Sequence, residues 1–400
     1  MESTLRSPTT DKEDVREPSA ELSRTPQSNE AEAPNSEAAR SVASRQHWRP
    51  LQALLQLRAF QALRHREFRL LWLGQACTGM GTWMDQVTRG WLIYELTDSP
   101  VQLGLVRGVQ AIPILLLSPL AGSIADRSHR KMQMLVAQVL DGLMYATLAL
   151  LIITGEIQPW HVYATAFGAA IVQTFQQPAR AAMVADAVPS SHLTNAIGLN
   201  AVIFNVARTT GPTLAGLLIA MFGTASSYAV QAAFYLLATI WTVPLRPAQP
   251  SSRSSHGHAP EASFGRSIID GWKFSWKNEA VRTGLLIVSF ASLFIIPFTT
   301  LLPVFARDIL GVGATGQGLL LTAMGVGALC SAVLIASLGD QLPRGIFMLG
   351  GVTVYGFIVV AFSASPWFEL SMVLMGIVGL VHVTSHALVQ TVIQTYSPPK

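Results

Sequence analysis

"LGLVRGVQAIPILLLSPLAGSIADRSHR", residues 103–130, stays apolar for about twenty residues and then turns basic. Moved 214 positions along the chain, it falls on "QGLLLTAMGVGALCSAVLIASLGDQLPR", residues 317–344. Gly104 then meets Gly318, Asp126 meets Asp340, and Arg130 meets Arg344. An apolar run of this length is what a helix needs to cross the hydrocarbon of a bilayer. Its return with glycine, acid and arginine in register points to a duplicated set of spans, with a site expected between the two sets at mid-membrane.

Similar stretches recur on both sides of these two. They lie near 69–95, 101–123, 132–154, 159–181, 193–222 and 224–245, then near 283–306, 315–338, 345–364 and 367–395. The chain therefore reads as an all-α membrane protein of two parallel six-helix repeats, the second incomplete, with ten transmembrane helices present. Residues 58–245 make the first half, 246–282 a cytoplasmic linker, and 283–400 a partial second half of four helices. Two further spans are expected beyond Lys400, or else the product is truncated and unable to transport. Within the linker, "FGRSIIDGWKFSWKN" sets Phe264, Ile268, Trp272 and Trp276 on one face, the pattern of an amphipathic helix lying in the membrane interface.

Composition agrees. Half the residues are hydrophobic and 12% are charged, against about 25% in a soluble domain. Residues 1–50 alone hold 16 of the 50 Asp, Glu, Lys and Arg. Residues 1–57 thus read as a disordered cytoplasmic tail, without the apolar core of a signal peptide. The net charge of +4 comes from residues beside apolar spans, which reads as topology and gives no sign of nucleic acid as a partner. Cys77 and Cys330 lie in spans and suggest neither a disulfide framework nor a metal site. With the amino terminus inside, the inner flanks collect Arg58, Arg64, Arg66, Arg69, Arg127, Arg130, Lys131, Arg180, Arg246 and further basic residues. The outer loops carry Arg307 against Glu95, Asp98, Glu156, Asp308 and Glu369. A multi-pass protein of the plasma (cytoplasmic) membrane, with a cytoplasmic amino terminus, is expected.

Between spans 2 and 3 stands "GSIADRSHRK", with Gly122, Asp126, Arg127, Arg130 and Lys131. A tight inner turn needs a small residue where two helices meet, and its acid can cap a helix or hold Arg130. The pattern resembles the loop 2–3 signature of the major facilitator superfamily, G-x-x-x-D-R-x-G-R-K, with His129 in place of the second glycine. Asp340 and Arg344 form its pseudo-copy. Span 5, "GLNAVIFNVARTTGPTLAG", resembles the antiporter signature of that family through Gly198, Gly211, Pro212 and Gly216, with Ala207 and Ala215 replacing glycines. Small residues let helices approach, and Pro212 frees a carbonyl four residues back, so this stretch reads either as a rocking hinge or as a packing seam. "GTWMDQVTRGWLIYELTDSPVQLGLVRGVQAIPILLLSPLAGSIADR" and "QQPARAAMVADAVPSSHLTNAIGLNA" narrow the resemblance to the enterobactin-exporter and transmembrane secretion effector branch. Membership implies twelve spans and an exporter driven by protons through alternating access. Asp85 and Arg89 depart from that branch, where Gln and an apolar residue are usual.

Charges inside the spans need a purpose, because each costs at least about 2.5–3.5 kcal/mol at the bilayer centre. Gln75, Thr78, Thr82, Asp85 and Arg89 fall on one face of span 1. Arg107, Asp141 and Arg208 join them from spans 2, 3 and 5, and Gln173, Gln176 and Gln177 from span 4. These residues should line an aqueous cavity or pair with each other. Asp85 and Arg89 read as a structural pair or as part of proton coupling. Asp141, with no arginine beside it in sequence, is the better proton carrier. Arg208 can hold either aspartate or a substrate anion, and the arginine excess favours an anionic or zwitterionic amphiphile over a cationic drug. His382 and His386 lie on one stripe with Gln390 and Gln394, read as a cavity-lining hydrogen-bonded pair ahead of a proton relay. A two-ligand metal site is the weakest reading, since no Glu or Cys joins them.

No phosphate loop, dinucleotide fingerprint or nucleophile elbow appears, so an enzyme is not expected and no cofactor is implied. The reading is a secondary transporter that exports small amphiphilic molecules, drugs or siderophore-like metabolites, with protons as the coupling ion. It is expected to act as a monomer in the lipid bilayer. A facilitator or importer of a small anionic metabolite is the alternative.

Overall fold

In hydrocarbon every backbone N–H and C=O has to be satisfied within the chain, and long helices do this. The computed structural model describes residues 58–127, 129–246, 273, 276–338 and 344–396. The tail expected over 1–57 and most of the linker, with its interfacial helix, lie outside them. After a 3-10 turn, Arg58–Arg64, come α1 (Arg66–Thr97), α2 (Pro100–Arg127), α3 (Arg130–Thr154), α4 (Pro159–Asp186), α5 (Leu193–Phe222) and α6 (Thr224–Thr242). Then follow α7 (Glu279–Phe290), α8 (Gly313–Leu338), α9 (Arg344–Ser363) and α10 (Phe368–Tyr396). The fold is all-α.

Each expected span coincides with helical residues, span 7 only in part with a regular α-helix, and the helices are not alike. Six helical stretches among the described residues are long and apolar enough to cross a membrane by composition: Pro100–Ser118, Arg130–Thr154, Ser190–Phe222, Val281–Ile309, Gly313–Ile335 and Phe368–Val389. Leu349–Ser363 is a shorter apolar helix. Helices α1, α4 and α6 carry the polar residues that face inward, which lowers their mean hydropathy. The outside is apolar: Leu115, Leu116, Leu150 and Phe357 are exposed, while Thr78, Thr88, Gln138, Gln231 and Ser331 are buried. This inversion suits a lipid surround.

Span 7 departs from the expectation of one continuous helix over 283–306. Past Phe290 the chain runs through a π turn (Ala291–Ile295), a 3-10 stretch (Ile296–Leu301), a single α turn (Leu302–Val304) and a second π turn (Phe305–Ile309). Pro297 and Pro303 supply the reason, since each removes a backbone donor and crowds the preceding turn. Span 4 departs the other way. Expected over 159–181, it runs on as α4 to Asp186, with Pro178 inside the helix.

The helix pairs repeat as the sequence does. Helix α2 packs on α4 and α3 on α4; correspondingly α8 packs on α10 and α9 on α10. Helix α1 packs on α5 and α6, and α6 lies against α3. The first six helices meet the later ones along α5 and α8. There Gly318 faces the Pro212 carbonyl and Gly216 faces the Ala314 carbonyl so closely that an added Cβ would stand 2.5 Å from either oxygen. Thr322 Oγ1 donates to the Thr209 carbonyl at 2.9 Å, and its hydroxyl also meets that of Thr213. Gly318→Val forces this seam apart and should cost about 1–3 kcal/mol of stability. Gly104→Ala, which adds a carbon into open space, should be nearly neutral, and thermal unfolding in detergent micelles reads the contrast.

Candidate functional site

The polar face of α1 is turned inward. Gln75, Thr82 and Asp85 line a cavity of about 440 Å3, walled also by Arg107, Asp141, Tyr145, Gln173, Gln177, Arg180 and Tyr235. All six of the first helices contribute, because Phe204 of α5 closes one side.

Arg89 and Asp85 are the most tightly held pair. Arg89 Nε donates to Asp85 Oδ2 at 2.9 Å, and Nη1 donates to the Val162 carbonyl at 3.1 Å and to Thr165 Oγ1 at 3.0 Å. Arg89 is 3% exposed and Asp85 9%. An arginine keeps its proton at any depth, so it needs such partners in a membrane. Tyr145 and Tyr228 stack beside the pair with ring centroids 6.0 Å apart. Thr88, Ser227 and Gln231 extend the polar contacts onto α6 through bonds of 2.7 and 3.0 Å.

Asp141 differs. It is 4% exposed and lines the same cavity, and where Asp85 is paired with Arg89, Asp141 has no ion pair among the described residues. Arg107 bonds Gln110 Oε1 at 3.3 Å and faces the same space.

Arg180 was read from sequence as an inner-flank topology charge. The structure places it in the cavity wall, donating to Gln75 Oε1 and, at 2.9 Å, to Thr78 Oγ1. The continuation of α4 past Pro178 brings it there. The Gln75/Thr78 stripe facing it was the signal available in sequence.

Arg208 and His382 do not line this cavity. They belong to an adjoining chamber of about 160 Å3, shared with Trp83, Gln86, Tyr355 and Met324. Trp83 and Gln86 border both spaces. Arg208 Cζ lies 5.5 Å above the Trp83 ring, and the His382 ring is 5.5 Å from that of Tyr355. The side chain of His386 lies outside the described residues, as do those of Asp126, Arg127 and Arg344; Asp340 lies outside them altogether. Arg130 reaches Asp186 Oδ2 at 2.6 Å, tying the start of α3 to the end of α4. Of the span 5 positions, Gly211 packs against Trp83, and Pro212 and Gly216 against α8, while Gly198 faces open space and belongs to no seam.

At the far end the two sets of helices are latched. Asp98 Oδ1 accepts from Arg307 Nη1 at 2.8 Å, the Arg307 guanidinium lies 5.2 Å above the Tyr94 ring, and the Tyr94 hydroxyl donates to Asp308. Beneath, the space bordered by Arg89, Arg107, Thr299 and Pro303 shrinks to about 30 Å3, room for a water or two.

A family model described as "Transmembrane secretion effector" matches residues 57–399. The chain belongs to this family of major facilitator superfamily transporters. It is 26% identical to the staphyloferrin A transporter of Staphylococcus aureus over 281 residues, 69% of this chain and 66%, just under two-thirds, of that protein. It is 25% identical to the multidrug efflux pump Tap of Mycobacterium tuberculosis over 311 residues, 76% of this chain and 73% of Tap. Among solved structures, it superposes on an inward-facing, unoccupied bacterial homolog of the human lysosomal transporter Spinster with a TM-score of 0.63. That match has 16% identity and covers 84% of this chain and 75% of the other. The chain described here is thus a multi-pass member of a family of membrane transporters, and the names of Tap and the staphyloferrin A transporter describe transport.

Asp85→Leu strands the Arg89 charge and should destabilise this protein by about 3–5 kcal/mol. The double change Asp85→Leu with Arg89→Met should cost less than either single change. Unfolding curves for the four proteins give the order, and strict additivity would show that the two side chains do not act as a pair.

Proposed function

We propose that this transporter exports small amphiphilic molecules, drugs or siderophore-like metabolites, in exchange for protons by alternating access. The observation that carries the reading is Asp141. A carboxyl group in a membrane-embedded cavity, with no ion pair among the described residues, can gain and lose a proton as the cavity changes sides. Asp85 is the poorer carrier, because its Oδ2 already accepts from Arg89 Nε at 2.9 Å. The word efflux in the name of Tap supports the direction, and the names of Tap and the staphyloferrin A transporter support drugs or siderophore-like metabolites as the substrate class. A cavity of about 440 Å3 falls in the range of about 300–1,000 Å3 that accepts small molecules.

The Lys and Arg distribution supports a cytoplasmic-membrane protein with its amino terminus inside, and nothing in the mechanism needs a second copy. On that topology the Asp98–Arg307 latch closes the outer end, and export requires it to break. A facilitator of a small anionic metabolite is the second reading, favoured by the arginines of the cavity. It predicts uptake that persists after the proton gradient is collapsed.

Asp141→Asn should abolish gradient-driven efflux of a fluorescent amphiphile from proteoliposomes; undiminished efflux removes Asp141 from the mechanism. Releasing the latch makes a separate prediction. In a background with Cys77→Ser and Cys330→Ser, a reporter at Gly90→Cys should react faster with an impermeant maleimide added outside once Arg307→Gln is present. The exchanged pair Asp98→Arg with Arg307→Asp should slow it again. Equal labelling in all three means the pair is no gate.

A further inference from the structure

Arg208 is a cation without an answering anion. Among the described residues it has neither an ion-pair nor a hydrogen-bond partner, and its guanidinium rests on the face of Trp83. Asp85 is taken by Arg89, and Asp141 lines the neighbouring cavity, which Arg208 does not reach. Across the chamber stands Tyr355, 2% exposed, whose hydroxyl has no hydrogen-bond partner among the described residues. Buried hydroxyl groups are nearly always bonded, so one left open beside a chamber marks a place for a ligand atom.

Both groups offer hydrogens and both lack acceptors. We propose that Arg208 and Tyr355 form a carboxylate-binding subsite, so that the amphiphile this transporter carries is an organic acid. For its physiological meaning this rests on the export reading above; as a statement about binding it stands by itself. The planar fork of an arginine matches the two oxygens of a carboxylate, and stacking on Trp83 fixes the plane of that fork in advance. A chamber of about 160 Å3 holds a carboxylate with a short stem. The body of the molecule passes Trp83 and Gln86 into the larger cavity, where Ile114, Tyr145, Phe204 and Tyr235 offer apolar contact. The charge balance agrees: the three adjoining spaces together are lined by Arg89, Arg107, Arg180 and Arg208 but only by Asp85 and Asp141 among acids of the described residues, an excess of two positive charges that disfavours cations. Arg208 lies on α5 and Tyr355 on α9, so a carboxylate held by both joins the early helices to the later ones.

The test uses four probes with one aromatic body: 1-naphthylacetate, its amide, 1-naphthylethylamine and 1-naphthyl phosphate. Calorimetric titration of the full chain in nanodiscs should show the carboxylate binding at least about tenfold tighter than the amide, with the amine weakest. Arg208→Gln should erase the difference, Arg208→Lys should keep part of it, and Tyr355→Phe should narrow it. If Arg208→Gln fails to fold, the other two variants and the probe series decide. Equal or tighter binding of amide or amine overturns the subsite, as does no binding of any probe. A carboxylate preference that survives Arg208→Gln also overturns it, and tighter binding of the phosphate replaces the assigned class. Gradient-driven efflux is scored separately. Its absence with the preference intact removes the export reading alone, and its presence without a preference removes this inference alone.

Discussion

A charge that cannot be neutralised must be answered where it sits, and Arg89 is answered from two helices at once. Asp85 holds it from the preceding turn of α1, and the Val162 carbonyl and Thr165 hydroxyl hold it from α4. Helix α1 is thereby fixed to α4, while Thr88, Ser227 and Gln231 fix it to α6. The cavity exists because these polar bonds, rather than a filled apolar core, set the spacing of the walls. Removing the charge would relax the constraint and let apolar side chains close the space.

Much of this was legible in the chain. Apolar runs placed the helices, the 214-residue echo revealed the repeat, and the three-and-four spacing from Gln75 to Arg89 put a polar face on α1. What escaped were features set by other helices or by proline in unexpected roles. Arg180 reads in sequence as a basic residue of the inner flank, yet α4 continues through Pro178 to Asp186 and carries it into the wall. Pro297 and Pro303 lie inside a run that hydropathy marks as one span near 283–306, yet the structure breaks there into short turns. The chamber of Trp83, Arg208 and Tyr355 draws on residues up to 272 positions apart, and no local period records such a meeting.

The broken stretch after α7 also explains the latch. A regular helix would carry Arg307 and Asp308 past the end of α1, whereas the π turn over Phe305–Ile309 holds them against Tyr94 and Asp98. Asp98 itself sits in the left-handed backbone region at φ 47°, a conformation that aspartate tolerates better than most residues. The geometry that ends α1 is the same geometry that aims its carboxylate across the gap.

The seam of α5 and α8 has a mechanical consequence. Its closest approaches, at Gly216 and Gly318, are backbone against backbone, and the side chains that cross it nearby are the small hydroxyls of Thr315 and Thr322. Surfaces of this kind slide and tilt on one another with little change in van der Waals energy, much as a plain bearing carries load without teeth. Knobs seated in holes would have fixed one crossing angle; smooth backbones leave a range of angles almost equal in energy.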